Sequence, residues 1–344
     1  MMLRALLTTV AVAVFLSGCG SQPSSSDANA DNEPVPAAQS NSPTQNEPST
    51  PPKTQTEIQP ADDKEEQEQD VSFESVILFE LTDEDLSKPE TEIPYYTFGN
   101  IGFVTQEEIQ GFSNGSYPWR GDSVQAASIL TQNLIPEGMS ADQVEYKAVP
   151  VENQSQADET TVVDMIVPSL GTFTIHLQHP NKAVFSYITK MVWQPESSKA
   201  LQQLEGSVTL LDLDESWFDK LTSKIPAFGK GNIRYFEQEA VDSFNQGHSV
   251  PWGDPRVQAM LAISELVPYD YLQDEAISQQ LSDRKEILTT SNGIVFTPQY
   301  ESFQDRPVVV QVEVPDFGVY TVTLNSGTDS SIAIVQKVEF EAGK

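Results

Sequence analysis

The chain has 344 residues, of which 51 are acidic and 19 basic, for a formal net charge of -32, and it holds one cysteine. That balance excludes the clustered Lys and Arg that a nucleic-acid partner requires and argues against peripheral adhesion to anionic lipid. One thiol excludes internal disulfides and multi-cysteine zinc sites. The acidity itself is open to two readings: solubility or adaptation to salt or a charged envelope, and binding of a cation or a basic partner.

The first segment carries one early charge, Arg4, and an apolar run from Ala5 to Leu16 that ends in Leu16-Ser17-Gly18-Cys19. A dozen or so apolar residues are too few to cross a bilayer of roughly 30 Å as a helix. They fit the hydrophobic core of a signal peptide, with small residues before the cut. The Leu-Ser-Gly-Cys box resembles that of bacterial lipoproteins. The resemblance implies a signal peptide over 1–18, acylation of the Cys19 thiol and a membrane anchor facing outside the cytoplasm. Two or three acyl chains hold a protein firmly, whereas one binds marginally. An ordinary cleaved signal peptide with a chance Cys, or a short anchor, is the competing reading.

From residue 20 to about Val71, Ser, Pro, Gln, Asn, Asp and Glu dominate, and the stretch ends in the acidic run Asp62–Asp70. Such a composition buries too little apolar area to offset its ordering entropy, so residues 19–72 are expected to be a lipidated, disordered tether. As a coil of roughly 50 residues it spans about 40 Å, more with charge repulsion.

The remaining chain repeats itself. Ile93-Pro94 recurs as Ile225-Pro226, Gly99-Asn100-Ile101 as Gly231-Asn232-Ile233, Phe112 as Phe244, Pro118-Trp119 as Pro251-Trp252, and Val167-Pro168 with Gly171 as Val314-Pro315 with Gly318. The period is too long for a solenoid, so the expectation is two domains, 73–196 and 203–344, with extra residues in the second around Asp270 to Ser302. Each opens with an apolar strand, 76–79 and 208–211. A helix follows, for which Thr105 and Glu108 form a capping box. A Pro-Trp loop leads to a second helix, capped by Asp122 in one copy and by Asp254, with Pro255 at the first helical position, in the other. Ala126, Ala127, Leu130 and Leu134 form its apolar face. Period-two alternation over 172–178 and 319–324, and final strands at 184–193 and 332–340, predict antiparallel strands joined by turns at 168–171 and 315–318. The fold class is therefore α+β: helices packed on an antiparallel meander, twice over.

Chemistry is sparse. The three histidines, His176, His179 and His248, have no counterpart His in the other copy and form no recognised metal motif. The acidic groups at Asp83-Glu84-Asp85 and Asp212, Asp214, Glu215 lack calcium-loop spacing and read as helix starts. Arg120-Gly121-Asp122 spells an adhesion tripeptide, but Asp122 is better used as a cap. Trp119 and Trp252 are the candidate binding residues, able to stack on a sugar or peptide, or else to plug the gap between helices and sheet. The stretch Gly247–Pro255 resembles a Gly-His-x-Pro-Trp-x-x-Asp-Pro pattern of secreted proteins of Bacillus-type bacteria, which implies kinship of fold and no catalytic residue. No catalytic residue, metal ligand or cofactor is expected. The reading is a non-enzymatic envelope lipoprotein that presents two related domains to an envelope protein or polymer. The alternative is an envelope hydrolase with carboxylates in a cleft between the copies, one of them raised in pKa by burial.

Overall fold

A computed structural model describes residues 73–150, 160–229, 232–267, 271–272, 274–299 and 307–343. The expected signal peptide (1–18), Cys19 and the expected tether (19–72) lie outside them, as do Gly231 and part of the stretch around Asp270 to Ser302. All described residues fall in one compact unit of mixed helix and antiparallel sheet. Among them no helix is long and apolar enough to cross a membrane.

The first half runs β1 (Val76–Glu80), α1 (Asp83–Ser87), β2 (Tyr95–Thr97), β3 (Asn100–Gly102), α2 (Gln106–Ser113), α3 (Ser123–Leu130), β4 (Glu145–Val149), β5 (Thr161–Val167), β6 (Gly171–Gln178) and β7 (Tyr187–Pro195). A short α4 (Ser198–Leu201) joins it to β8 (Ser207–Asp212), β9 (Ala227–Gly229), β10 (Asn232–Arg234), α5 (Gln238–Asn245), α6 (Pro255–Ile263), α7 (Glu275–Ser282), β11 (Leu288–Thr289), β12 (Val295–Gln299), β13 (Val308–Val314), β14 (Gly318–Asn325) and β15 (Ile334–Ala342).

Local chemistry sets the helix starts. Thr105 accepts from the Glu108 amide while the Glu108 carboxylate accepts from the Thr105 amide at 2.8 Å, so two free donors are satisfied reciprocally. Thr82 and Asp85 do the same for α1, which accounts for the acidic group there. Asp122 and Asp254 cap α3 and α6. Helix α3 ends at Leu130; Leu134 is buried, but on a separate turn of 3-10 helix, Gln132–Leu134. The Thr131 hydroxyl, donating to the Ala127 carbonyl at 2.7 Å, marks that end. Ala126, Ala127 and Leu130 pack on β4, β5 and β6, and Ala259, Met260 and Ile263 of α6 pack on β12 to β15.

One sheet has the order β4-β5-β6-β7-β1-β10-β9, a second β11-β12-β13-β14-β15-β8, and β2-β3 is a hairpin of its own. The expected strands over 172–178 and 319–324 are β6 and β14, with strict alternation of buried and half-buried residues. The final strands start later than expected, at Tyr187 and Ile334, because a 3-10 turn at Pro180–Lys182 precedes one and Ala333 N–H is taken by the Trp252 carbonyl before the other. Strand β4, at an edge, and strand β12, flanked by β11 and β13, extend the meanders.

The two halves interlock. Glu80 of β1 pairs with Asn232 of β10, the one parallel pairing among the described strands. Asp212, ending β8, donates its N–H to the Gly99 carbonyl in the β2-β3 turn at 2.9 Å. Asn133 reaches the Thr209 carbonyl at 2.8 Å, and the Trp217 indole donates to the Ile101 carbonyl at 3.1 Å. Each half thus lays its hairpin on the first strand of the other. Where the sheets meet, Trp193 lies 5.3 Å from Phe340, 5.6 Å from Phe317 and 5.8 Å from Phe173. Phe73 and Tyr320 complete the cluster. The seam between the halves is an aromatic core where a cleft was expected.

Candidate functional site

The Pro-Trp segments form turns of 3-10 helix, Pro118–Gly121 and Val250–Gly253, entered through Tyr117 and Ser249, both left-handed at φ 54°. Three features set their mutual register. The left-handed residue opens each turn. A Cβ added at Gly121 would meet Phe112 Cζ at 3.1 Å, and one at Gly253 would meet Phe244 Cζ at 3.1 Å. The Arg120 carbonyl accepts from Ser186 N–H at 2.9 Å, and the Trp252 carbonyl accepts from Ala333 N–H at 2.9 Å. Trp252 therefore stands in the place of Arg120, and Trp119 in that of Pro251. Pairing Trp119 with Trp252 by sequence is wrong by one residue. The backbone fixes the left-handed entry and the glycine exit, and the Pro-Trp dipeptide slides between them.

The two places are filled differently. In the first half the Arg120 guanidinium lies 4.7 Å from the Phe185 ring centroid and 5.3 Å from each of Tyr95, Tyr117 and Trp119. Such contacts stabilise a cation through the ring quadrupoles. Its Nη2 reaches Glu108 at 3.3 Å. Burial pushes the Tyr95 phenol up to about 12, Arg120 opposing and Glu108 adding. Burial also raises the Glu108 carboxyl, but bonds from Thr105 and the charge of Arg120 leave it below its ordinary value. Both charged groups of Arg120-Gly121-Asp122 are thus engaged, one in an aromatic box and one as a helix cap.

In the second half the same box is open. Tyr95 faces Gly102 across the β2-β3 hairpin, and Ala227 faces Arg234 across β9-β10 at the same register position. With alanine where the first half has tyrosine, a cavity of about 280 Å³ remains, walled by Phe228, Tyr235, Phe236, Trp252 and Leu261, with Arg234 and Gln258 as its polar groups. Trp252 packs on Phe236 at 5.4 Å. The Gln258 Nε2 atom is buried and has no hydrogen-bond partner, and a buried donor without an acceptor is costly. Burial, with the Asp85 carboxylate of the other half adding to it, pushes the Tyr235 phenol up to about 12. Trp252 therefore lines a cavity, and Trp119 packs against the first half's core beside Arg120.

The remaining candidates have local roles. His179 contacts the Ala183 carbonyl at 3.2 Å and the Ser186 hydroxyl at 3.0 Å. His176 sits half-buried on β6 beside Lys190, Asp164 and Glu80. His248 is exposed. Asp214 caps a 3-10 turn. Among the described residues no group of three or more His, Cys, Asp or Glu gathers as a metal site. The Asp212 carboxyl is raised, by burial first and then by Glu339, Asp214 and Glu215 against the pull of Lys337, but it is exposed at the end of β8. Sequence reasoning missed Ala227, Arg234 and Gln258, and read Arg120 only within an adhesion tripeptide, not as the cation of an aromatic box. One signal was present: Ile93-Pro94-Tyr95 against Ile225-Pro226-Ala227, a ring lost inside an otherwise matched segment. Comparison of the chain with protein-family models, with curated proteins and with solved structures gave no match.

Proposed function

We infer that the protein is a membrane-anchored extracytoplasmic lipoprotein, held through lipid on Cys19, that displays two copies of one α+β unit and binds a ligand or envelope partner. Duplication is supported by the recurring element order, by the matched left-handed entries Tyr117 and Ser249, and by the matched carbonyls of Arg120 and Trp252. The binding role rests on one observation: the cavity beside Trp252, opened by Ala227 and holding the unpartnered Gln258 donor. Ligand sites are mostly apolar concavities with a few placed polar groups, and this cavity has that make-up. The aromatic seam between the halves favours binding over a hydrolase with paired carboxylates in that place.

Two measurements test this reading. A Cys19→Ser variant should move from the membrane to the soluble fraction; retention at the membrane refutes the lipid anchor. A mixed library of small neutral, cationic and anionic fragments, screened on the full chain by ligand-observed NMR, should give hits that disappear in Ala227→Tyr. No hits, or hits indifferent to that substitution, refute the cavity as the binding site.

A further inference from the structure

We propose that the cavity beside Trp252 recognises an aromatic ring that bears a nearby carboxylate. The inference rests on the binding reading above and adds the chemical class of the ligand.

The first half supplies the template. The Tyr95 side chain is buried at the position that Ala227 leaves empty, and its ring lies beside the group, Arg120, whose place Trp252 takes. A ligand ring in the second half replaces the missing Tyr ring and lies against the Trp252 indole and Phe236. Size agrees: about 280 Å³ exceeds the roughly 150 Å³ that suffices for benzene, so a ring with a short chain fits.

Polarity sets the rest. Gln258 Nε2 and the Arg234 guanidinium both donate, and among the described residues none lining the cavity is acidic, in a chain with 51 acidic residues. Glu108, which neutralises Arg120 in the first half, has Ala240 at the matching place on α5. The first half's site holds a cation over its rings. The second half carries its cation, Arg234, at the rim; Asp85, the carboxylate felt at the Tyr235 wall, is already paired with Lys88 at 2.7 Å. A carboxylate on the ligand meets Arg234, and an oxygen acceptor meets Gln258; a charge-assisted bond to guanidinium is the stronger of the two. An aryl amine would place its charge against Arg234.

The test is titration of the full chain with 3-(4-hydroxyphenyl)propionate, following Trp fluorescence and heat. Comparators are 3-(4-hydroxyphenyl)propanol, tyramine, 3-cyclohexylpropionate and a Gly-Gly-Tyr peptide with a free C-terminus. The aryl acid should bind about tenfold tighter than the aryl alcohol, the worth of one charge-assisted bond. Arg234→Gln, at an exposed position, should erase that difference and leave the alcohol unchanged. Ala227→Tyr should abolish both. Tighter binding of the peptide assigns the site to a chain terminus, and tighter binding of the free acid assigns it to a small molecule; both uphold the chemistry. The proposal is overturned if tyramine or the cyclohexyl acid binds as well as the aryl acid, or if Arg234→Gln leaves the preference intact. Fragment hits of another class, lost in Ala227→Tyr, would overturn this proposal while upholding the binding reading.

Discussion

Trp193 joins the two sheets, and its removal should weaken the whole unit at once. The side chain is fully buried, touches Phe173, Phe317 and Phe340, and donates its indole N–H to the Leu170 carbonyl at 3.0 Å. Truncating a core Trp to Ala costs about 3–5 kcal/mol in transfer and cavity terms, and the lost hydrogen bond adds about 1 kcal/mol. The Leu170 carbonyl keeps the Glu196 N–H, so no orphan acceptor adds to this. Trp193→Ala should therefore lose about 4–6 kcal/mol. Trp193→Phe, which keeps a ring on Phe173, should lose about 1–2 kcal/mol. In urea, at a slope of about 3 kcal/mol per molar, the alanine variant's midpoint should fall by about 1.5 M. Because the hairpins cross between the halves, far-UV circular dichroism and the fluorescence of the other tryptophans should report one coincident transition before and after the substitution. Two separated transitions, with only one shifted by Trp193→Ala, would show that the halves fold independently and refute the interlocked reading.

Other perturbations probe the turns, the caps and the sheet face. Gly171 has φ +121°, and an added Cβ would run into the Gln194 carbonyl oxygen and lie 2.8 Å from Glu196 N; Gly171→Ala should cost about 3 kcal/mol. Gly138, at φ +87° in open space, should cost only about 1 kcal/mol, and equal losses by thermal unfolding would refute the steric argument. Asp254 caps α6 and also binds Arg256, which is 5% exposed, through Nε at 3.0 Å and Nη2 at 2.6 Å. Asp254→Ala should cost about 3 kcal/mol by removing the two-pronged carboxylate from a buried cation that keeps the Lys285 and Glu286 carbonyls, whereas Asp122→Ala, which removes a cap and an exposed bond from the Gln125 side chain, should cost about 1 kcal/mol; similar losses in urea melts would contradict this. Burial and then Lys190 hold His176 below its ordinary pKa of 6.5, with Asp164 and Glu80 opposing. The unfolded chain then binds the proton first, so this stability is complete above pH 6.5 and is lost as pH falls below it. His176→Gln should flatten the stability profile just below that pH, and an unchanged slope in pH-resolved urea melts would refute the assignment.

What the sequence shows of this fold is what depends on near neighbours. Thr105, Asp122, Asp254 and Pro255 act where capping chemistry puts them, because a cap is settled within one helical turn. Alternation over 172–178 marks β6 because one face is buried along its length. Strand β4 escapes notice, since Glu145–Val149 is solvated on much of both faces and shows no period of two. The three-residue hairpins are too short to have a period, and the Glu80–Asn232 pairing joins residues far apart in the chain. The Pro-Trp repeat misleads by one position because dipeptide identity is conspicuous and a left-handed φ is not. The cavity is harder still, since it is defined by a ring that is missing at Ala227.

Exchange of hairpins explains why the open site belongs to one half. Matching positions carry different chemistry where the halves touch. Asp85 pairs with Lys88 at 2.7 Å in the first half. In the second half, Trp217 takes the Asp85 position and stacks under Lys220 at 3.4 Å. Trp217 then packs on Phe103, the residue after the other half's hairpin, at 6.2 Å. In the first half's version, the Asp85 carboxylate acts on Tyr235 at the wall of the cavity. The first half fills its own box with Tyr95 and Arg120. The second half, relieved of both groups, keeps the backbone of the site and its aromatic walls. An Ala227→Tyr variant therefore reproduces a packing that the same backbone already supports in the first half, and it should close the cavity with the melting temperature held or raised. A fall in melting temperature would show that Ala227 is needed for packing and that the cavity is not a vacated copy of the Tyr95 site.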